Sequence, residues 1–213
     1  MSNTVVLLLA VTGLFAVLLF AVLYSKPLSY QVSRLLATLY QKQGWLDKAL
    51  PLRQKNLAFL EKKFGKNHSN LVETLVSLAD IHYAQGRFER AETIYERAFE
   101  IMERKYGADH AKVSELLASL GDCYRSKGQP ERALSYYQKS LAVLEKNLGR
   151  SHPDVALSLD NLAGVLHAMG HYDKALPLYK RALDISQTAL GKAHDQSQLV
   201  AEHYAFCLQK IEK

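Results

Sequence analysis

The amino-acid sequence predicts an all-α protein: an N-terminal transmembrane helix, then an α-solenoid of about four helix-turn-helix repeats, then a C-terminal capping helix. Three observations lead to this fold class. Residues 4–24 are apolar and uncharged, the chain matches itself at an offset of 42 residues, and each repeat contains two amphipathic helical patterns. The predicted domains are an anchor over residues 1–27 and a solenoid over residues 28–213.

The N-terminal segment reads TVVLLLAVTGLFAVLLFAVLY and contains no charged residue. A helix of this length spans about 30 Å, which matches the hydrocarbon core of a bilayer. A cleaved signal peptide is the alternative, and it would carry a basic n-region and a shorter apolar stretch. No Lys or Arg precedes this run, and it ends in AVLYSKP, so the sequence favours a retained anchor.

The 42-residue offset aligns five columns of residues in four copies without gaps, and a repeat of this kind decides the fold. The columns are Gly44, Gly86, Gly128 and Gly170; Gly65, Gly107, Gly149 and Gly191; His68, His110, His152 and His194; Ala49, Ala91, Ala133 and Ala175; Leu36, Leu78, Leu120 and Leu162. The predicted units cover about residues 30–71, 72–113, 114–155 and 156–197, followed by a cap at 198–213.

Each unit is predicted to contain two helices. In the second unit, Leu71, Leu75 and Leu78 have the three- and four-residue spacing of one helical face. Gly86 is predicted to end this helix and Gly107 to end the next one, because glycine adopts the left-handed cap conformation without steric cost. Small alanines in both helices allow a close crossing, and a tyrosine of the second helix fills the space beside it.

The pattern Leu75, Leu78, Ala79, His82, Ala91, Tyr95 and Ala98 resembles the tetratricopeptide repeat. The 42-residue period and the stretch LGRSHPDVALSLDNLAGVLHAMGHYDKALPLYKRAL are similar to the repeats of kinesin light chains. The resemblance implies the solenoid fold over residues 30–213, and it implies no particular function, because the same repeat serves many unrelated assemblies.

The sequence departs from the repeat pattern at both ends. In the first unit, Arg53 stands where the others have Tyr95, Tyr137 and Tyr179, and the single tryptophan, Trp45, follows the glycine that ends the first helix. After residue 196 only one further helical pattern remains, QLVAEHYAFCLQKIEK, and we interpret it as a cap over the last apolar face.

No residue pattern indicates catalysis, a metal site or a cofactor. The four loop histidines are about one repeat apart, roughly 10 Å, which is too far for one shared zinc ion. We therefore expect a loop or helix-capping role for them. Cys123 and Cys207 fall at apolar positions of the helical pattern, which favours two buried thiols over a disulfide. Nucleophile elbows, phosphate loops and paired carboxylates are not found in the sequence.

The resemblance implies that first-helix side chains line an inner, partner-binding groove. The corresponding residues are Glu73, Val76, Asp80, Tyr83, Glu115, Asp122, Arg125, Asp160, Asn161 and His167. A clamp for a C-terminal carboxylate would have asparagine where this chain has Asp80 and Asp122, and lysine where it has Val76 and Ala118. Two interpretations remain open: the acidic residues are a solvated face, or the groove prefers a basic or neutral segment of a protein partner.

Basic charge is concentrated next to the predicted anchor. Residues 26–66 carry nine basic and two acidic groups, a net charge of +7, while the whole chain carries +6. Anionic headgroups are the expected partner of this charge, and a nucleic-acid role is discounted because a nucleic-acid binder would spread a basic face over the module. The predicted membrane-surface contacts are Lys26, Lys55, Lys62, Lys63 and Lys66.

The sequence therefore predicts a single-pass membrane scaffold that recruits or assembles a protein complex. No basic residue precedes the span, whereas Lys26, Arg34 and Lys42 follow it, so the positive-inside rule predicts that the repeats face the cytoplasm. Two alternatives remain. In the first, the chain is a constitutive accessory subunit of an integral membrane complex, and its transmembrane helix makes the main contact. In the second, it is an exported envelope protein.

Overall fold

The computed structural model of the chain describes residues 26–212, with side chains from Ser29 onward. The segment 4–24, for which the sequence predicts a transmembrane helix, lies outside the described residues, as does the side chain of Lys26. Within the described part, none of the helices combines the length and apolarity needed to cross a membrane. The chain divides into two compact units, one ending at Ile81 and the other beginning at His82.

The first unit contains a helical hairpin and the start of the next repeat. Its helices are α1 (Lys26–Lys42), α2 (Leu46–Phe64), a short 3₁₀ turn (Ser69–Leu71) and the beginning of α3 (Val72–Ala84). α1 and α2 pack against each other, with Ala37 and Ala49 fully buried. The rings of Tyr30 and Phe59 stack with their centroids 5.0 Å apart.

The second unit contains six complete helices, and each packs against the next along the chain. They are α4 (Phe88–Tyr106), α5 (Ala111–Ser126), α6 (Pro130–Leu148), α7 (Pro153–Ala168), α8 (Tyr172–Leu190) and α9 (Asp195–Ile211). The helix-turn-helix repeats predicted from the 42-residue period are confirmed, and the described residues form an all-α solenoid.

Glycine ends the second helix of each repeat, as the sequence predicts. Gly107 follows α4 with φ 86° and ψ 157°, a backbone conformation that side chains with a Cβ rarely adopt, and its N–H donates to Glu103 O. This turn releases the chain from α4 so that α5 can begin at Ala111 after only a short loop.

Alanine at the helix crossings is fully buried, which confirms the predicted register. Ala91, Ala133 and Ala175 are all 0% exposed. Tyr137 lies beside the α5–α6 crossing, and a Cβ added to Gly121 would come within 2.9 Å of its ring. Ala133 and Tyr137 share a core cluster with Leu162 and Val165 of the following repeat, so the crossing also joins neighbouring repeats.

The first repeat replaces this tyrosine by Arg53, and the structure shows how an arginine fits there. Arg53 is only 4% exposed, and it donates hydrogen bonds to Gln41 Oε1 at 2.8 Å and to Thr38 Oγ1 at 3.0 Å. Its Nη1 is enclosed without a hydrogen-bond partner among the described residues. Burial lowers the pKa of Arg53, against the raising effect of Glu73.

The last helix, α9, covers the apolar face of the preceding pair. Val200 packs into a cluster with Val155, Ala182 and Ile185. Cys207 is fully buried, and its thiol donates to Tyr172 O at 3.7 Å. Cys123 is also fully buried, as the sequence predicts for both cysteines.

Candidate protein-binding surface

The four loop histidines cap the first helices of the repeats. The Nδ1 atoms of His68, His110, His152 and His194 each accept a hydrogen bond of 3.2 Å from the backbone N–H two residues further on. This bond satisfies one of the N–H groups that a helix start leaves without an intrahelical partner. Between residues 26 and 212, no group of three or more histidine, cysteine or acidic side chains could hold a metal ion.

On α5, the predicted groove residue Asp122 also has a structural role. Its Oδ1 accepts a hydrogen bond of 2.6 Å from the hydroxyl of the buried Tyr137 and lies 2.8 Å from Nη2 of Arg125. Burial, followed by the charge of Asp122, raises the pKa of the Tyr137 hydroxyl. Arg125 and Glu115 remain exposed on the same helix, whereas Asp122 is tied to the core.

Tyr83 lies at the end of α3, within the second unit. Its hydroxyl shares a hydrogen bond of 2.9 Å with Ser126 Oγ, and its ring meets Phe88 edge-on at 5.4 Å. These contacts join the end of α3 to the end of α5, through Ser126, and to the start of α4, through Phe88. Tyr83 is half-buried, so one side of its ring remains accessible.

Asp160 on α7 is closed off by the capping helix. It is 7% exposed, and His203 Nδ1 on α9 lies 2.9 Å and 3.1 Å from its two carboxylate oxygens. Burial raises the pKa of Asp160, and the hydrogen bond from His203 acts in the opposite direction. The predicted groove residue Asp160 is therefore occupied by a contact within the chain.

His167 lies among aromatic rings near the end of α7. Its ring contacts Tyr172, Tyr179 and Phe206, with centroids 4.9, 6.5 and 5.3 Å away. Burial lowers the pKa of His167, with further lowering by Lys210 and His203. Its Nε2 is enclosed and has no hydrogen-bond partner among the described residues. Asn161, six residues before it on α7, is half-buried.

A cavity of about 390 Å³ opens between α5, α6 and α7, and no pattern in the sequence predicted it. Leu144, Leu148 and Leu157 give it apolar walls, and Glu115 and Asp154 place carboxylates at its edge. Leu157 is half exposed although it stands where the two preceding repeats have Glu73 and Glu115. That change from acidic to apolar within one column was the signal available in the sequence.

The predicted residues of the first unit are on the surface. Glu73 lies 3.5 Å from Arg34, Val76 is half-buried, and Asp80 is exposed. Among the predicted membrane contacts, the side chains of four lysines are exposed: Lys55, Lys62, Lys63 and Lys66. The Nζ of Lys63 lies 4.9 Å from the centre of the Phe64 ring.

A sequence profile described as the tetratricopeptide repeat matches three overlapping stretches of the chain, residues 29–104, 73–146 and 127–188. The chain belongs to the tetratricopeptide repeat (TPR) family. No curated protein matches the sequence.

Several solved structures have a similar fold. The nearly identical kinesin-light-chain-type repeats from Podosopora anserina are 22% identical, with a TM-score of 0.74, covering 88% of this chain and 89% of that one. BtubC (BKLC) from P. vanneervenii is 25% identical, with a TM-score of 0.70, covering 89% and 79%. The apo form of RapI is 17% identical, with a TM-score of 0.75, covering 87% and 65%. The chain therefore shares the fold of kinesin-light-chain-type repeats, as the sequence resemblance implied.

The TPR fold is a non-enzymatic scaffold suited to protein–protein interaction. In the second unit, its first helices present what we call the first-helix surface. Glu115 and Leu157 of this surface line the cavity, and Arg125 and Asn161 lie further along the same two helices. The surface combines acidic and apolar groups, with Arg125 as its basic member. This TPR surface can therefore make both ionic and apolar contacts with a partner.

Proposed function

We propose that this TPR chain is a membrane-anchored scaffold that recruits or assembles a protein complex, with its partner held on the first-helix surface. The observation that carries the proposal is the cavity between α5, α6 and α7. Its apolar walls remain open to solvent at Leu157, which is not a member of the core clusters formed by the described residues. Val155 and Leu159 of the same helix are fully buried, whereas Leu157 is half exposed, so α7 packs into the core through side chains other than Leu157.

The chemistry of the cavity favours one class of ligand. Glu115 and Asp154 at its edge would attract Lys or Arg of a partner, and the leucines would accept one apolar side chain. Lys112, which also lines the cavity, reduces this acidic charge but does not cancel it. The expected ligand is a basic or neutral protein segment that carries an apolar residue.

The anchor is supported by the sequence of residues 4–24, which is apolar, uncharged and long enough to span a bilayer. The basic residues that follow it favour a cytoplasmic position for the repeats. The lysines of the first repeat would then contact anionic headgroups, each contributing about 1 kcal/mol near the surface. An accessory subunit held through its transmembrane helix, or an exported envelope protein, remains the alternative.

Site-specific photo-crosslinking in cells tests the partner site. A photoreactive residue replaces Leu157 in the full chain, and Ala142, exposed on α6, serves as the matched position. We expect a crosslinked partner at position 157 and none at 142, with a basic or neutral crosslinked segment identified by mass spectrometry. Glu115→Lys together with Asp154→Lys should weaken the crosslink. Equal crosslinking at both positions would contradict the proposed surface.

Extraction and reporter fusions test the anchor and its topology. The full chain should resist alkaline carbonate and dissolve in detergent, and a chain without residues 4–24 should be released. A C-terminal reporter that is active only in the cytoplasm should be active. Activity of an export-dependent reporter instead would favour the envelope protein.

A further inference from the structure

Helix α1 exposes the face that its counterparts in later repeats bury. At an offset of 84 residues, Leu36, Leu39 and Tyr40 of α1 correspond to Leu120, Cys123 and Tyr124 of α5. In α5 these three side chains are at most 5% exposed. The hydroxyl of Tyr124 also donates to Glu92 Oε1 of α4 at 2.6 Å, so this face of α5 docks on the preceding repeat.

In α1 the same face is open. Leu36 is 39% exposed, Leu39 56% and the adjacent Leu35 59%. Within the described part of the chain no helix precedes α1, so nothing there plays the role of α4. Three neighbouring leucines exposed on one helix form an apolar patch, and contiguous exposed apolar patches are typical of protein- or membrane-contact sites.

An aromatic and a basic side chain extend this surface. The ring of Trp45 lies 5.8 Å from that of Tyr40 and is 51% exposed. The Nζ of Lys48 lies 4.5 Å from the Trp45 ring centre and 5.9 Å from that of Tyr40. We call the set Leu35, Leu36, Leu39, Tyr40, Trp45 and Lys48 the α1 face.

Two occupants fit the α1 face poorly. The apolar segment 4–24 is separated from Lys26, the first residue of α1, by Ser25 alone, and an antiparallel pair of helices needs a loop of about 2–5 residues. A second copy would bring together two segments that each carry a net charge of +7 over residues 26–66, and they would repel each other.

A bilayer interface fits all of its features. Tryptophan and tyrosine are enriched at the headgroup level, leucines enter the upper acyl region, and lysine pairs with anionic lipid. We propose that the α1 face lies in the interfacial layer of an anionic bilayer, with α1 parallel to the membrane plane; this inference rests on the proposed anchor. If α1 instead followed the membrane normal, Leu39 would lie about 20 Å beyond Lys26 along the helix axis, outside the interface.

Trp45 is the only tryptophan of the chain, so its fluorescence reports on the α1 face alone. The test reconstitutes the full chain in anionic liposomes whose lipids are brominated on the acyl chains near the headgroup. We expect strong quenching of Trp45, a blue-shifted emission and protection from iodide. Leu36→Ser with Leu39→Ser should reduce quenching at least twofold. The matched pair Leu199→Ser with Ile211→Ser, at apolar side chains 49% and 46% exposed elsewhere, should leave quenching unchanged.

Each other result has a distinct meaning. The chain could resist carbonate while Trp45 is quenched by iodide and not by brominated lipid. This result would support the anchor and overturn the inference about the α1 face. Protection from both quenchers, increasing with the density of protein in the membrane, would show that a second copy covers the α1 face, which also overturns it. Release of the full chain by carbonate would contradict the proposed anchor, and it would overturn this inference as well, because the inference rests on the anchor. Circular dichroism melts establish that each serine variant is folded.

Discussion

At the scale of single residues, the loop histidines show how one acceptor atom can support a helix start. His110 Nδ1 accepts from Lys112 N at 3.2 Å, and this requires an imidazole whose Nδ1 is unprotonated. His110→Ala should lower the free energy of unfolding by about 0.5–2 kcal/mol, which is the usual cost of losing a helix cap. His110→Asn should keep most of this stability, because asparagine can also cap a helix. Urea denaturation measures the difference.

His171 provides the control for this prediction. It stands at the N-cap of α8 and makes no capping hydrogen bond with its side chain. His171→Ala should therefore change the free energy of unfolding by only a few tenths of a kcal/mol. A loss at position 171 as large as that at position 110 would mean that the Nδ1 bond is not the source of stability.

Glu92 forms a polar network between α4 and α5. Its carboxylate accepts from Tyr124 OH at 2.6 Å and from Lys127 Nζ at 2.5 Å, and all three side chains are largely buried. Burial by itself would raise the pKa of Glu92, but the hydrogen bonds from Lys127 and Tyr124 outweigh it, so the pKa lies below its ordinary 4.5. The carboxylate is thus more stable in the folded chain than in the unfolded one.

The pH dependence follows from this direction. The contribution of Glu92 to stability is complete above about pH 4.5 and is lost as the pH falls through the lower pKa of the folded state. Glu92→Gln should cost about 1–3 kcal/mol at neutral pH, and the difference from the parent chain should shrink in acid. Glu89→Gln, on a largely exposed neighbour 3.9 Å from Lys127, is the control and should show little of either effect. A difference that does not change with pH would contradict the assignment.

Single residues also show where sequence-based prediction ended. The spacing of the loop histidines predicted that they would not share a metal ion, and it left a loop or helix-capping role for them. The burial of Asp160 did not follow, because it depends on His203, which is 43 residues away on α9. Asp122 was assigned to the groove from its position, but its bond to Tyr137 depends on the side-chain direction of a second helix. Repeat columns predict which face a residue occupies and not which neighbour reaches it.

At the scale of helices, the crossings depend on small residues whose positions the 42-residue period predicts. Ala133 is fully buried between α6 and its neighbours, while Ala142, on the same helix, is exposed. Ala133→Leu should overpack the crossing and cost about 1–3 kcal/mol, whereas Ala142→Leu should be nearly neutral. Thermal denaturation of the two variants compares them directly. Similar losses in both would show that the helical register assigned to α6 is wrong.

Helix ends were also predictable, since glycine at a fixed place in each repeat has a backbone reason. The cavity between α5, α6 and α7 was not predictable, because it results from the directions of Leu144 and Leu148 on α6 and of Leu157 on α7. The first repeat was only partly predictable. The sequence showed that Arg53 breaks the tyrosine column, and the structure supplied its partners, Gln41 and Thr38.

At the scale of the whole molecule, a solenoid transmits stability between neighbouring repeats only. The stability of such a chain is approximately the sum of the intrinsic terms of its repeats and the interfaces between adjacent ones. In the second unit, α9 contacts α8 closely and α7 slightly, and it has no substantial contact with α4, α5 or α6. A defect in α9 should therefore remain local.

Val200→Ala tests this locality. Val200 is 1% exposed and packs with Val155, Ala182 and Ile185, so shortening it should cost about 1–3 kcal/mol at the α9 interface. Hydrogen–deuterium exchange should become faster in α8 and α9 and should stay unchanged in α4 and α5. Leu199→Ala removes a neighbouring side chain that is 49% exposed, and exchange in that variant should match the parent chain. If Val200→Ala instead accelerates exchange equally from α4 to α9, the second unit opens as one cooperative block. The nearest-neighbour description would then fail for this chain, because the cap would be stabilising every repeat of the unit at once.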